Sequence, residues 1–138
     1  MRRSPHYIDG DTWITTGMIE AYKQLHRLGY AHSFEAWQNG KLAGGLYGVS
    51  IGRMFFGESM FTLVPDASKF AFISMARLLD QTGFTLIDCQ QETAHTRRLG
   101  CTTLMPRKQF LQLVRENNSQ PTLRGKWQEK DGKIVVRT

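Results

Sequence analysis

The dipeptide Asn39-Gly40 constrains the fold of this chain more than any other feature. It separates two runs that read as strands, residues 31–38 and 42–49, and both of its residues tolerate the positive φ of a two-residue hairpin loop. A second turn around Ser50-Ile51-Gly52 leads into residues 53–61, so a three-strand antiparallel meander is expected. Ahead of it, Met18, Ala21, Tyr22, Leu25 and Leu28 follow helical spacing from a cap at Thr15 or Thr16 to a stop at Gly29. Behind it, residues 67–81 read as an apolar helix between a cap at Asp66 and a terminator at Gly83. Residues 84–90 then read as a strand, 93–99 as a short helix and 101–105 as another strand. Pro106 opens a last helix with Phe110, Leu111 and Val114 on one face, proline being tolerated at that position. After Asn117 the chain becomes polar and turn-rich, and Ile134-Val135-Val136 adds an edge strand at most.

A meander followed by a crossover helix fits an α/β sheet of mixed direction, mostly antiparallel and flanked by helices. That is the order of elements in GNAT-type acyltransferases, whose sheet splays open where acyl donor and amine meet. Their usual members cradle acetyl-coenzyme A on a glycine-rich turn that opens the helix after the fourth strand. Here that junction reads Val64-Pro65-Asp66-Ala67-Ser68-Lys69, without glycine, so no acetyl-coenzyme A is expected.

With 138 residues there is material for one core. We divide the chain into a catalytic domain over residues 1–117 and a polar, basic tail over 118–138. No apolar run approaches the ~18 residues of a membrane span, and the opening residues lack the apolar stretch of a signal peptide. Cys89 and Cys101 lie in apolar segments without metal-ligand spacing and read as buried free thiols, which points to the cytoplasm. The net charge of +6 is uneven: residues 97–138 hold 10 Lys/Arg against 3 Asp/Glu, whereas residues 1–96 hold 8 against 9. Arg97, Arg98, Arg107, Lys108, Arg124, Lys126, Lys130 and Lys133 are therefore candidates for phosphate contact, although a solvated basic tail would look the same.

Candidate chemistry lies in Leu86-Ile87-Asp88-Cys89-Gln90. On a strand, residues two apart share a face, so Asp88 and Gln90 would project together while Ile87 and Cys89 face the core. Gly57-Glu58-Ser59-Met60-Phe61 places a second carboxylate inside an apolar run. Two carboxylates and an amide rising from a sheet suggest a site, because burying charge is costly unless it is compensated. The bland alternative is a polar strand end facing solvent. His6, His26, His32 and His95 are scattered without metal-binding spacing, so no metal is expected; His95 could flank the site. No nucleophile elbow or phosphate-binding loop appears. Leu46, Phe55, Met60, Phe72, Met75 and Ile87 would ordinarily be core. Yet Gly44, Gly45, Gly48, Gly52 and Gly57 punctuate the meander, and glycines in strands leave room for bulges or a ligand.

Taken together, these segments resemble the leucyl/phenylalanyl-tRNA–protein transferases of bacteria. The resemblance is carried by Thr12-Trp13-Ile14-Thr15, Glu20-Ala21-Tyr22, Leu25-His26, Ala31-His32-Ser33 and Gly44-Gly45-Leu46-Tyr47-Gly48-Val49. It continues through Gly57-Glu58-Ser59-Met60-Phe61, Ala67-Ser68-Lys69, Leu86-Ile87-Asp88-Cys89-Gln90 and His95-Thr96 followed by Leu99-Gly100. It implies a GNAT-like catalytic domain that moves Leu or Phe from aminoacyl-tRNA to the amino terminus of proteins beginning with Arg or Lys, without a cofactor. The product is an N-degron, which leads to protein degradation.

The resemblance also implies roles. Asp88 and Gln90 become the catalytic pair, Glu58 and Trp13 line the site, and Leu46, Phe55, Met60 and Ile87 match the side-chain pocket. Tyr22 could flank the site, Trp13 could stack on the terminal adenine, and Arg2 and Arg3 are what remains of a basic segment useful for tRNA, while the charge distribution adds Arg97, Arg98 and the basic residues of the tail as phosphate contacts. Family members usually carry a smaller amino-terminal domain, which this chain is expected to lack, and its last twenty residues match no familiar pattern. A small-molecule amine as acceptor and a non-catalytic aminoacyl-tRNA-binding module are the alternatives.

Overall fold

The computed structural model describes residues 16–90, 94–101 and 104–137. Its elements are α1 (Thr16–Arg27), β1 (Ala31–Gln38), β2 (Lys41–Ile51), β3 (Met54–Thr62), α2 (Ala67–Thr82), β4 (Leu86–Asp88), α3 (Ala94–Arg98), α4 (Arg107–Asn117), β5 (Lys126–Lys130) and β6 (Lys133–Arg137). Strands β1-β2-β3-β4 form one sheet in that order; the first three pair antiparallel and β4 runs parallel to β3. The expected meander is therefore present, and Asn39 and Gly40 both adopt positive φ at its first turn.

Two glycines in β2 permit the close packing. A Cβ on Gly48 would meet the Phe56 carbonyl oxygen and stand 2.6 Å from the Phe55 ring. One on Gly44 would stand 2.8 Å from the Cβ of Ala67, where α2 begins. The first approach brings β2 close to β3, and the second lets the start of α2 pack against β2. The core between α2 and the sheet holds Leu46, Phe55, Ala71, Phe72, Met75 and Leu79. At the ends of α2, Gly83 closes the helix in the left-handed region, as the sequence suggests. Asp66 occupies the N-cap position but its side chain makes no capping bond.

Three expectations are corrected. The strand expected over residues 84–90 is three residues long, because its parallel ladder covers only Met54–Leu86, Phe55–Ile87 and Phe56–Asp88 before the two chains part. Cys101, Leu104 and Met105 are not in a strand; Cys101 is drawn to Cys89 instead. The segment after residue 117 is no trailing tail. β5 and β6 pair as a hairpin, Ile134 is buried, and the Trp127 ring packs against Phe34, Phe55 and Phe84.

The hairpin is also tied down by polar bonds. Gly52 N donates to Thr122 Oγ1 at 2.8 Å, Ile134 N to Thr82 Oγ1 at 2.8 Å, and Gly125 N to Gly29 O at 3.1 Å. Buried Asn117 accepts from Arg53 N and donates to Ile51 O, each at 2.7 Å, which fixes the β2–β3 turn. Arg124, a phosphate candidate by charge, instead donates to Leu28 O at 2.6 Å and lies over the Tyr30 ring.

His32 sits beneath the hairpin, 4% exposed, with its ring stacked on Trp127 at 3.7 Å. Burial lowers its pKa to about 4; a bond to the Gly29 carbonyl opposes the shift, and nearby His26 adds to it. The unfolded chain therefore takes up this proton first as pH falls from 6.5 toward 4. Stability conferred by neutral His32 is full above that window and is lost within it, on the order of 1–3 kcal/mol. Denaturant midpoints measured between pH 7.5 and 4.5 should show this slope, and His32→Phe should flatten it relative to the native chain.

Candidate active site

The sheet opens where β3 and β4 part, and the polar candidates gather at that opening. Tyr47 pairs with Ser59 and Gly48 with Gly57, so Glu58 is the extra residue of a β-bulge in β3. A bulge re-aims its side chain out of the regular alternation. Glu58 thus meets Tyr22, reaching from α1, and Gln90, reaching from just beyond β4. Tyr22 Oη donates to Glu58 Oε2 at 2.9 Å, and Gln90 Nε2 donates to the same oxygen at 3.2 Å. Neither group uses Oε1.

Asp88 and Gln90 come together differently from the expected strand pair. Gln90 has φ of 65°, so strand alternation ends before it. Its backbone N–H turns back to donate to Asp88 Oδ1 at 2.8 Å. The acid therefore holds the backbone that carries the amide, and the amide reaches the second carboxylate. Tyr22 also meets the Tyr47 ring edge-on at 5.1 Å. Burial, the hydrogen bond to Glu58 and that residue's charge all raise the Tyr22 pKa, with Tyr47 adding to the effect. Tyr22 is consequently a neutral donor throughout the physiological range.

The apolar candidates lie on the other face of the sheet, toward α2. Leu46 pairs with Met60 and Phe55 with Ile87 across adjacent strands. Leu46 and Phe55 are fully enclosed, whereas Met60 and Ile87 are half-buried at the border of the core. Two clefts among the described residues lie near these groups. One of about 420 Å³ lies between α1 and β1–β2 and includes Tyr22 and Tyr47. The other, about 630 Å³, lies beside the hairpin and is lined by His26, His32, Ser33, Lys126, Trp127 and Gln128. Neither is lined by Leu46, Phe55, Met60 or Ile87.

Arg97 and Arg98 are exposed on α3, shortly after Gln90, whereas Lys126, Lys130 and Lys133 lie on the hairpin. Arg107, Lys108 and Arg115 lie on α4, so the basic excess is spread over α3, α4 and the hairpin. Trp13, Arg2 and Arg3 fall outside the described residues, as does the side chain of His95. Among the described residues, no helix is long and apolar enough to cross a membrane.

Sequence reasoning missed the bulge that aims Glu58, although Gly57 beside it was an available signal. It also missed the pairing of Cys89 with Cys101, which were expected as free thiols. The turn after α3, where Cys101 N donates to Thr96 O at 3.0 Å, brings Cys101 back to Cys89 with their Cα atoms 6.8 Å apart.

A four-strand mixed sheet flanked by helices, with a carboxylate, an amide and a phenol meeting where two parallel strands part, defines an α/β domain with a polar site at its sheet opening. The sequence profile of the leucyl/phenylalanyl-tRNA protein transferases matches residues 3–115, and the chain belongs to that family. The transferase of Myxococcus xanthus (strain DK1622) is 56% identical over 118 residues, covering 86% of this chain and 50% of the relative. That of Nitratidesulfovibrio vulgaris (strain DP4) is 51% identical over 124 residues, covering 90% of this chain and 53% of the relative. Both carry the name leucyl/phenylalanyl-tRNA–protein transferase. The chain spans about half the length of these relatives.

Proposed function

We propose that this chain carries the reaction centre of a cytoplasmic aminoacyl-tRNA-dependent transferase, which joins Leu or Phe to the amino terminus of an acceptor protein as an N-degron. The observation that carries the reading is the convergence of Tyr22 and Gln90 on Glu58, with Asp88 holding the Gln90 backbone. We read the parting of β3 and β4 as the splay of a GNAT-like fold, with the donor ester lying across it.

The chemistry is aminolysis of an activated ester. The acceptor nitrogen bonds to the aminoacyl carbonyl carbon, the bond to the ribose oxygen breaks, and a proton passes from the amine to that oxygen. Positioning and charge stabilisation suffice for such an ester, and no covalent enzyme intermediate is required. An amide is a poor base, so Gln90 orients the attacking amine while Asp88 fixes Gln90 and stabilises the developing ammonium. Glu58 offers Oε1 to an amino group. Met60 and Ile87, at the core border beside the opening, would be the first residues met by the donor side chain, with Leu46 and Phe55 beneath them. Trp13 would stack on the terminal adenine.

Incubation with charged Phe-tRNA and an Arg-initiated peptide tests the reading: the peptide should gain one Phe, and uncharged tRNA should give none. Absence of transfer to peptides of any amino-terminal residue would reject it.

Phosphate contacts are assigned to Arg97 and Arg98 because they follow the site closely in sequence. Reversing both to Glu should weaken binding of all tRNAs alike and reduce the slope of log affinity against log salt by ~2. Filter binding between low and moderate salt measures it, and an unchanged slope would remove both residues from the tRNA surface.

A further inference from the structure

Cys89 lies between Asp88 and Gln90, and the structure bonds it to Cys101, twelve residues on. The ring so closed contains Gln90, Arg97 and Arg98, with α3 inside it. Both cysteines are half-buried and pack at the border of the core, so the bond joins the site segment to the turn after α3. Within the ring, Gln90 has only its backbone bond to Asp88 and its side-chain bond to Glu58 described as holding it in place. Its positive φ is a conformation that a free glutamine seldom adopts, so something must hold it there.

We propose that the Cys89–Cys101 pair is a redox latch on the site: closed, it holds Gln90 against Glu58, and open, it releases Gln90 from that position. The inference rests on the reading of Gln90 as the group that orients the amine. The cytosol where aminoacyl-tRNA is used is buffered by small thiols and thioredoxins, and intracellular disulfides are commonly transient and redox-sensing, so glutathione serves as the probe. Opening is thiol–disulfide exchange. A glutathione thiolate bonds to one cysteine sulfur, the protein S–S bond breaks, and the other cysteine leaves as a thiolate that takes a proton. A second glutathione thiolate then attacks the mixed disulfide, so that two protein thiols and one glutathione disulfide result. The reverse sequence closes the latch.

The test uses the full chain equilibrated in buffers of set glutathione ratio, with closure read by alkylation and mass. Hydrogen exchange at the backbone N–H of Gln90, which is bonded to Asp88, should be at least tenfold slower in the closed form. Cys101→Ser should exchange at the open rate in both buffers. Transfer from Phe-tRNA should fall about tenfold on opening, and Cys101→Ser should stay at the lower rate throughout. Equal exchange in the two forms, or a pair that does not close in oxidised glutathione, overturns the latch. Transfer unchanged by opening overturns its control of the site. If exchange follows the redox state while neither form transfers Phe, the latch stands and the aminoacyl-transfer reading fails.

Discussion

Asp88→Ala and Gln90→Ala are each expected to lower the rate of aminoacyl transfer by ~100-fold or more, the range for lost positioned polar groups. The two losses should be far from additive. Asp88 acts on Gln90 by accepting its backbone N–H, so removing either disturbs the same amide. The double variant should therefore be little worse than the poorer single one. A single-turnover assay with charged Phe-tRNA separates this from weaker binding, since saturating tRNA would restore the rate only if affinity alone had suffered. Turnover near the native rate in either variant would end the assignment. Glu58→Gln is the companion measurement, because it keeps the shape of the side chain while removing the charge that faces the amine.

The second large effect is on stability. Phe55 is fully buried beneath α2, its ring 5.9 Å from that of Phe34 and 6.2 Å from that of Trp127. Phe55→Ala should cost ~3–5 kcal/mol, the usual range for removing a core aromatic ring. That lowers the folding equilibrium constant by a factor of at least ~100. Urea denaturation monitored by tryptophan fluorescence would measure it, since Trp127 reports directly on the cluster. A loss under ~1 kcal/mol would mean that the core relaxes into the gap, a result that would favour Phe55 as a movable pocket wall.

Local signals made the meander legible. Asn39-Gly40 and Gly52 mark its turns, and the glycines of β2 mark where backbones approach. The spacing in α1 and the terminator at Gly83 were equally readable, because capping and periodicity act within a few residues. Glu58, Asp88 and Gln90 were picked out by the cost of placing polar groups in apolar runs, and the structure does bring them together. Their geometry was not legible. It depends on a bulge whose existence is decided by the partner strand, and on a positive φ at Gln90 that no propensity would favour. The hairpin after residue 117 escaped for a related reason. Lys-Trp-Gln-Glu-Lys reads as part of a polar tail because its one inward-facing ring, the half-buried Trp127, finds partners in β1, in β3 and in Phe84, all far away in sequence.

Trp127 and Ile134 also set an order of events during synthesis. Chains grow from the amino terminus at ~5–20 residues per second, and units fold as they emerge. The four-strand sheet and α2 are complete in sequence by Asp88, yet the aromatic cluster over Phe34, Phe55 and Phe84 lacks its central ring until Trp127 has been made. Until then the nascent sheet presents apolar rings without their cover, and buried His32 lacks the surface on which it stacks. The interval lasts for the translation of some forty further codons, during which a chaperone holding that face would substitute for the missing hairpin. Ribosome-held chains ending before and after residue 134, each carried clear of the exit tunnel by an added carboxy-terminal linker, would reveal it as a step in protease resistance.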